Sequence, residues 1–123
     1  SLCNPFELLE NPSKHQLKAT QLPKHIEQII TIDGYLITTK NTVTKNQKMM
    51  YFGTFIDRDG HFIDTVHFPS IASKFPFRGR GIYAITGKVL EEFDCINIEV
   101  VSMYKLAIIE DPRYSDKPKS FAV

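Results

Sequence analysis

The stretch Met50–Gly60, MYFGTFIDRDG, decides the reading of this chain. Taken at a period of two, Tyr51, Gly53, Phe55 and Asp57 share one face, and Met50, Phe52, Thr54 and Ile56 share the other. Aromatic rings stand on both faces. Such a strand is either covered on both sides or presents a ring to something outside. Asp57-Arg58-Asp59-Gly60 supplies turn residues, and a second apolar run, His61–Phe68, starts at once. The centre of the chain is therefore a predicted β-hairpin that carries Tyr51, Phe52, Phe55, Phe62 and Phe68, with Lys45 and Lys48 just ahead of it.

Outward from that hairpin, Ile29–Thr42 reads as a long first strand. Ile30 and Ile32 alternate, Gly34 interrupts and Tyr35–Thr39 continues; a glycine inside a long strand predicts a bulge or sharp bend. Thr44–Lys48 is a polar loop, Gln47–Asp57 the second strand and His61–Phe68 the third, stopped by Pro69, which cannot donate to a ladder. The inward face of the third strand stays open: Phe62, Val66 and Phe68 share one side, Ile63, Thr65 and His67 the other. Ser70–Phe75 is a turn or two of helix, and Arg78-Gly79-Arg80-Gly81 a basic connection. Gly81–Glu91 is the fourth strand, with Tyr83, Ile85, Gly87 and Val89 on one face and Lys88 on the other. Glu92-Phe93-Asp94 turns the chain into a fifth strand, Cys95–Leu106, whose Ile96, Ile98 and Val100 point inward.

Residues 1–28, which open with a short helical turn at Pro5–Glu10, read as an arm packed on the domain. Residues 29–110 are the domain, and 111–123, with two prolines and several charges, a tail or linker. Three strands, of which the first is long and kinked, then a short helix and two more strands, is the layout of an all-β, five-stranded OB-fold barrel; a small β-sandwich and another small barrel are the runners-up.

Composition narrows the classes. With 123 residues the chain forms one domain, and its 42% hydrophobic and 24% charged residues suit an ordinary soluble protein. No run of 18 apolar residues predicts a transmembrane helix, so no membrane partner is expected. Cys3 and Cys95 form no CxxC and read as two reduced thiols of a cytoplasmic protein. The first residue is Ser, as expected for a piece excised from a longer chain. The net charge of +1 conceals a gradient. From Thr38 to Lys88 eight bases face three acids; from Val89 to Asp111 one base faces six. A basic stretch marks a polyanion partner, although ordinary solvated lysines would look the same.

No catalytic constellation emerges. His15, His25, His61 and His67 have no ligand spacing with the cysteines, and there is neither a P-loop nor a GxGxxG. Glu91, Glu92 and Asp94 are neighbours in a turn, not a set that holds metal ions for phosphoryl transfer. The expectation is a binding module with no cofactor and no metal.

Two runs, TIDGYLITTKNTVTKNQKMMYFGTFIDRDG and HFIDTVHFPSIASKFPFRGRGIYAITGKVLEEF, resemble the OB domain near the C-terminal end of the alpha subunit of bacterial DNA polymerase III. The resemblance is carried by Gly34-Tyr35-Leu36, Thr44-Lys45, Met50, Phe52, Phe55, Asp57, Gly60, Phe68-Pro69 and Gly87-Lys88-Val89. Asn4-Pro5-Phe6-Glu7-Leu8-Leu9 is similar to the segment that precedes that domain. Phe55 stands where that family usually has Leu, and Lys88 where Arg is common. The second-strand signature also resembles the anticodon-binding domain of aspartyl-type tRNA synthetases. The resemblance implies a non-catalytic, single-stranded DNA-binding module of a replicative DNA polymerase, a DNA-directed transferase whose active site would lie elsewhere. Its partners would be single-stranded DNA, other domains of the parent polymerase and replisome subunits. An RNA-binding module and a protein-interaction domain are the alternatives.

OB-folds take oligonucleotides across strands two and three. Family parity places Tyr51, Gly53 and Phe55 inside and Phe52 and Thr54 outside, which makes Phe52 the first candidate for base stacking, unless the arm covers it. Lys40, Lys45 and Lys48 flank the loop between strands one and two, where phosphates would pass, and Lys88 points outward on strand four. Arg78 and Arg80 either reach the nucleic-acid backbone or only tie the connection down, and His61 stands at the hairpin turn. The acidic turn Glu91–Asp94 would repel phosphate, and no contact is placed there.

Overall fold

The computed structural model describes residues 17–107, so the helical turn expected at Pro5–Glu10 and the tail at 111–123 lie outside the described residues. Five strands and one short helix follow in chain order: β1 (Ile29–Val43), β2 (Met49–Ile56), β3 (Phe62–His67), α1 (Pro69–Lys74), β4 (Ile82–Glu92) and β5 (Cys95–Lys105). The strands close into a barrel in the order β1-β2-β3-β5-β4, with α1 between β3 and β4, which is the OB-fold.

Closure depends on the length of β1. Its first half, Ile29 to Tyr35, pairs with β4, and its second half, Tyr35 to Val43, pairs with β2. Strand registers can be followed once round the wall: Lys40 faces Phe52, Phe52 faces Val66, Val66 faces Glu99, Glu99 faces Lys88 and Lys88 faces Ile29. The circuit returns to β1 eleven residues from where it left, Ile29 against Lys40. An odd stagger would put those two side chains on opposite faces. The ladder absorbs the extra residue as a bulge at Ile37, between the pairs Leu36–Phe55 and Thr38–Thr54. The irregularity expected at Gly34 therefore falls three residues later. Gly34 has another duty, since a Cβ there would lie 2.8 Å from Cβ of Phe55. A second bulge leaves Val101 unpaired between the pairs Thr86–Ser102 and Gly87–Val100, which moves the inward position on β5 from Val100 to Met103.

The core is built from Ile32, Leu36, Phe55, Ile63, Tyr83, Ile85, Val89, Ile98, Val100 and Met103. Leu22, from the 3-10 helix Ala19–His25 ahead of β1, joins it. On β2 the alternation holds, with Gly53 and Phe55 buried and Phe52 and Thr54 partly open; Tyr51 and Ile96, read as core, are only half-buried. On β3 the inward side is Ile63, Thr65 and His67, which leaves Phe62, Asp64, Val66 and Phe68 on the outside. The turn from β4 to β5 is Phe93-Asp94, both at positive φ, a two-residue hairpin closed by the pair Glu92–Cys95.

Candidate functional site

Outside the barrel, β3 and β5 run parallel and pair only at Thr65–Ile98 and Val66–Glu99. Towards their N-terminal ends they diverge, and the outer surface opens into a groove of about 370 Å³. Lys40 and Thr42 of β1, Phe52 of β2, Asp64, Thr65 and Val66 of β3, and Cys95, Ile96 and Asn97 of β5 line it. No residue of 17–28 is among them; the arm spends Leu22 on the core instead. Phe52 is half-buried in this wall between Lys40 on one side and Val66 on the other, with a ring broad enough to take a flat apolar partner.

The groove is close to neutral, with Lys40 set against Asp64. Thr54 faces outward one row along, and its hydroxyl donates to Oδ1 of Asp64 at 3.5 Å. Lys45 and Lys48 stand exposed on the turn that follows Thr42, a loop tightened by the Thr44 N–H on the Lys48 carbonyl at 2.8 Å and the Lys48 N–H on Oγ1 of Thr44 at 3.2 Å. Among the described residues neither lysine has a carboxylate partner. The positive charge available to a polyanion thus sits on the loop, at the end of the groove.

The remaining sequence candidates lie elsewhere. Lys88 points outward as expected, but β5 separates it from β3, and its ammonium is 3.3 Å from a Glu27 carboxylate oxygen. His61 is exposed at the β2–β3 turn beside Asp57 and Asp59, and the three offer ligand atoms within 4.8 Å of one another. Those carboxylates are occupied by turn-making. Oδ1 of Asp57 accepts the N–H groups of Asp59 at 3.0 Å and His61 at 2.9 Å, and Oδ2 accepts that of Ala19 at 2.9 Å, while Asp59 pairs with Lys18 at 3.3 Å. Arg78 lies in a different pocket, formed with Lys74, Phe75, Pro76, Met103, Tyr104 and Lys105, and Arg80 is exposed on the same connection. Of the nine sequence candidates, Lys40 and Phe52 line the groove and Thr54 adjoins it.

Two kinds of residue were not legible as site residues. Val66, Ile96 and Asn97 complete the groove only because β5 inserts beside β3, a long-range pairing without a local mark. Phe93 is 96% exposed at the tip of the β4–β5 hairpin, two residues before Cys95, and holds φ at +52°. Such positions favour Asn or Gly, so a bulky ring there is costly to the fold and projects from it. Its turn position in the sequence was the available signal, masked by the acids on either side.

The closed barrel order, the single helix between β3 and β4 and an aromatic-walled groove beside β2 and β3 define an OB-fold module. No family model matches the chain, and no curated protein matches it either. Among solved structures, the second OB-fold domain of replication protein A from Methanococcus maripaludis, a solution structure, is similar, with a TM-score of 0.44 and 19% identity over 70% of this chain and 88% of that one.

Proposed function

We propose that this module binds single-stranded nucleic acid, DNA in the first place, along the groove between β2, β3 and the start of β5. The observation that carries the reading is the Phe52 ring, set in an open outer groove beside Lys40 and next to a loop that presents Lys45 and Lys48. Stacking needs only a ring with a free face, and it is tolerant of sequence because every base has one. Phe93, on the hairpin that leads into Cys95–Asn97, supplies a second exposed ring. The finer reading, a non-catalytic module of a replicative polymerase alpha subunit acting in the cytoplasm with other domains of that polymerase and replisome subunits, is supported by Gly34-Tyr35-Leu36, Thr44-Lys45 and the Met50–Gly60 signature. Residues 29–110 are the unit proposed to act, with the arm as its brace.

Titration with labelled oligo-dT at low and high salt tests this. Phe52→Ala is expected to cost roughly 1–3 kcal/mol of binding with little change in salt dependence, because a lost stack releases no counterion. Lys45→Ala or Lys48→Ala is expected to weaken all oligonucleotides alike and to lower the salt slope by about 0.7. A preference for RNA of the same sequence would move the assignment to an RNA module, through contacts to the 2′-hydroxyl. The Asp64 carboxylate in the groove and the acidic β4–β5 turn favour a second reading, a protein contact. That reading prevails if Phe52→Ala stays folded and binds like the parent and the lysine changes have no effect.

A further inference from the structure

The pocket that holds Arg78 is strongly basic. Lys74 enters it from the last turn of α1, Arg78 from the connection to β4, and Lys105 from the end of β5. No acidic side chain lines it. Among the described residues neither Lys74 nor the Arg78 guanidinium has a carboxylate partner. Its aromatic component is a pair, Phe75 and Tyr104, with ring centroids 5.4 Å apart and planes at 79°, and Tyr104 is 61% exposed despite its size.

The pocket is built rather than incidental. The buried Tyr83 hydroxyl accepts the Arg78 N–H at 2.7 Å and donates to the Gly79 carbonyl at 2.6 Å, which pins the connection from inside the barrel. The Lys105 ammonium donates to the Arg78 carbonyl at 2.9 Å, which fixes a positive head at the rim. Three cations around an open aromatic face are suited to a phosphate joined to a flat ring. At about 280 Å³ the space is below the usual range for ligand pockets and takes one such unit, not a folded partner surface.

We propose that this pocket holds one nucleotide of the same single strand, its phosphate among Lys74, Arg78 and Lys105 and its base on Tyr104. The inference rests on the nucleic-acid reading of the groove. From Ile96 in the groove to Tyr104 in the pocket β5 advances by roughly 26 Å, so a strand that engages both must run along the barrel instead of stopping at β2 and β3.

Chemical-shift mapping of the whole chain with oligo-dT of about 12 nucleotides, within the site size of one OB-fold, tests it. Shifts are expected at Lys40, Phe52 and Val66 and also at Lys74, Tyr104 and Lys105, and Lys74→Ala/Tyr104→Ala, both at exposed positions, is expected to weaken binding about tenfold with its melting curve unchanged. Shifts in the groove with none in the pocket overturn the inference and leave the groove reading intact. Shifts in the pocket alone end the groove reading and overturn the inference with it, because no strand then runs from one place to the other. Silence at both places ends both. A hexaglutamate peptide run beside the oligonucleotide distinguishes the other source of negative charge: if it shifts the pocket and oligo-dT does not, the pocket is a protein contact and the inference fails.

Discussion

His67 reaches the barrel interior with one ring nitrogen bonded and the other bare. The Thr65 hydroxyl has one proton and donates it to the Gly53 carbonyl at 3.1 Å, so at 2.8 Å from Nε2 of His67 it must accept. Nε2 therefore carries the imidazole proton, and Nδ1, buried, has no partner among the described residues. Burial pushes this histidine down from 6.5 to about 4. The unfolded chain takes up a proton near pH 6.5 and the folded one only near 4. Between those values the unfolded state binds more protons, so the stabilisation is complete above the window and is lost as the pH falls through it, by at most roughly 3 kcal/mol. His67→Phe, which keeps a ring against Phe77, is expected to show a flatter thermal midpoint across that window than the parent; parallel profiles would refute the assignment. The same residue shows why β3 was not orientable from its sequence. The large rings of this run, Phe62 and Phe68, are 68% and 43% exposed, while Thr65 and His67 lie inside, bonded to each other through Nε2. Hydrophobicity orders a strand only when polar side chains have no such private partner.

At the scale of elements, the faces of β2 were legible because nothing interrupts its pleat from Met49 to Ile56, so alternation in sequence is alternation in space. Bulges break that equivalence, and neither Ile37 nor Val101 differs in type from its neighbours. The glycine that drew attention, Gly34, was a packing requirement of Phe55, not a bend. A contrast follows for β1. Ile37 is 48% exposed, and Ile37→Thr is expected to change stability by no more than about 0.5 kcal/mol. Deleting residue 37 makes Leu36–Phe55 and Thr38–Thr54 consecutive pairs of a regular ladder, so every side chain keeps its face and the cooperative melt is expected to survive, whereas deleting Thr54 from the unbulged β2 should turn the side chains on one side of it to the opposite face and abolish that melt. Thermal denaturation of the three variants followed by circular dichroism checks this; a residue-37 deletion that no longer melts cooperatively would show that the stagger has been misassigned.

For the molecule as a whole, strand order undoes what the sequence separates. The basic middle and the acidic end are distinct along the chain, yet β5 lies between β3 and β4, so Glu99 stands in the wall between Val66 and Lys88. This is why Lys88 does not join the groove, whose near neutrality comes from Asp64 of β3 beside Lys40. Net charge by segment was a fair guide to loops, where Lys45 and Lys48 remain, and a poor one to walls.

The seam between β3 and β5 has a further consequence. Two residue pairs hold it, against seven between β1 and β4, so it is the place where the wall parts at least cost. Amide exchange in deuterated solvent is expected to be faster at Val66 and Glu99 than at Ile32 and Ile85, and equal protection would contradict it. The groove lies along that same seam, with one wall on each strand. Anything seated there spans the gap and lengthens the lifetime of the closed barrel, so occupancy would be recorded as slowed exchange at the seam, even by a ligand that left the average coordinates unchanged.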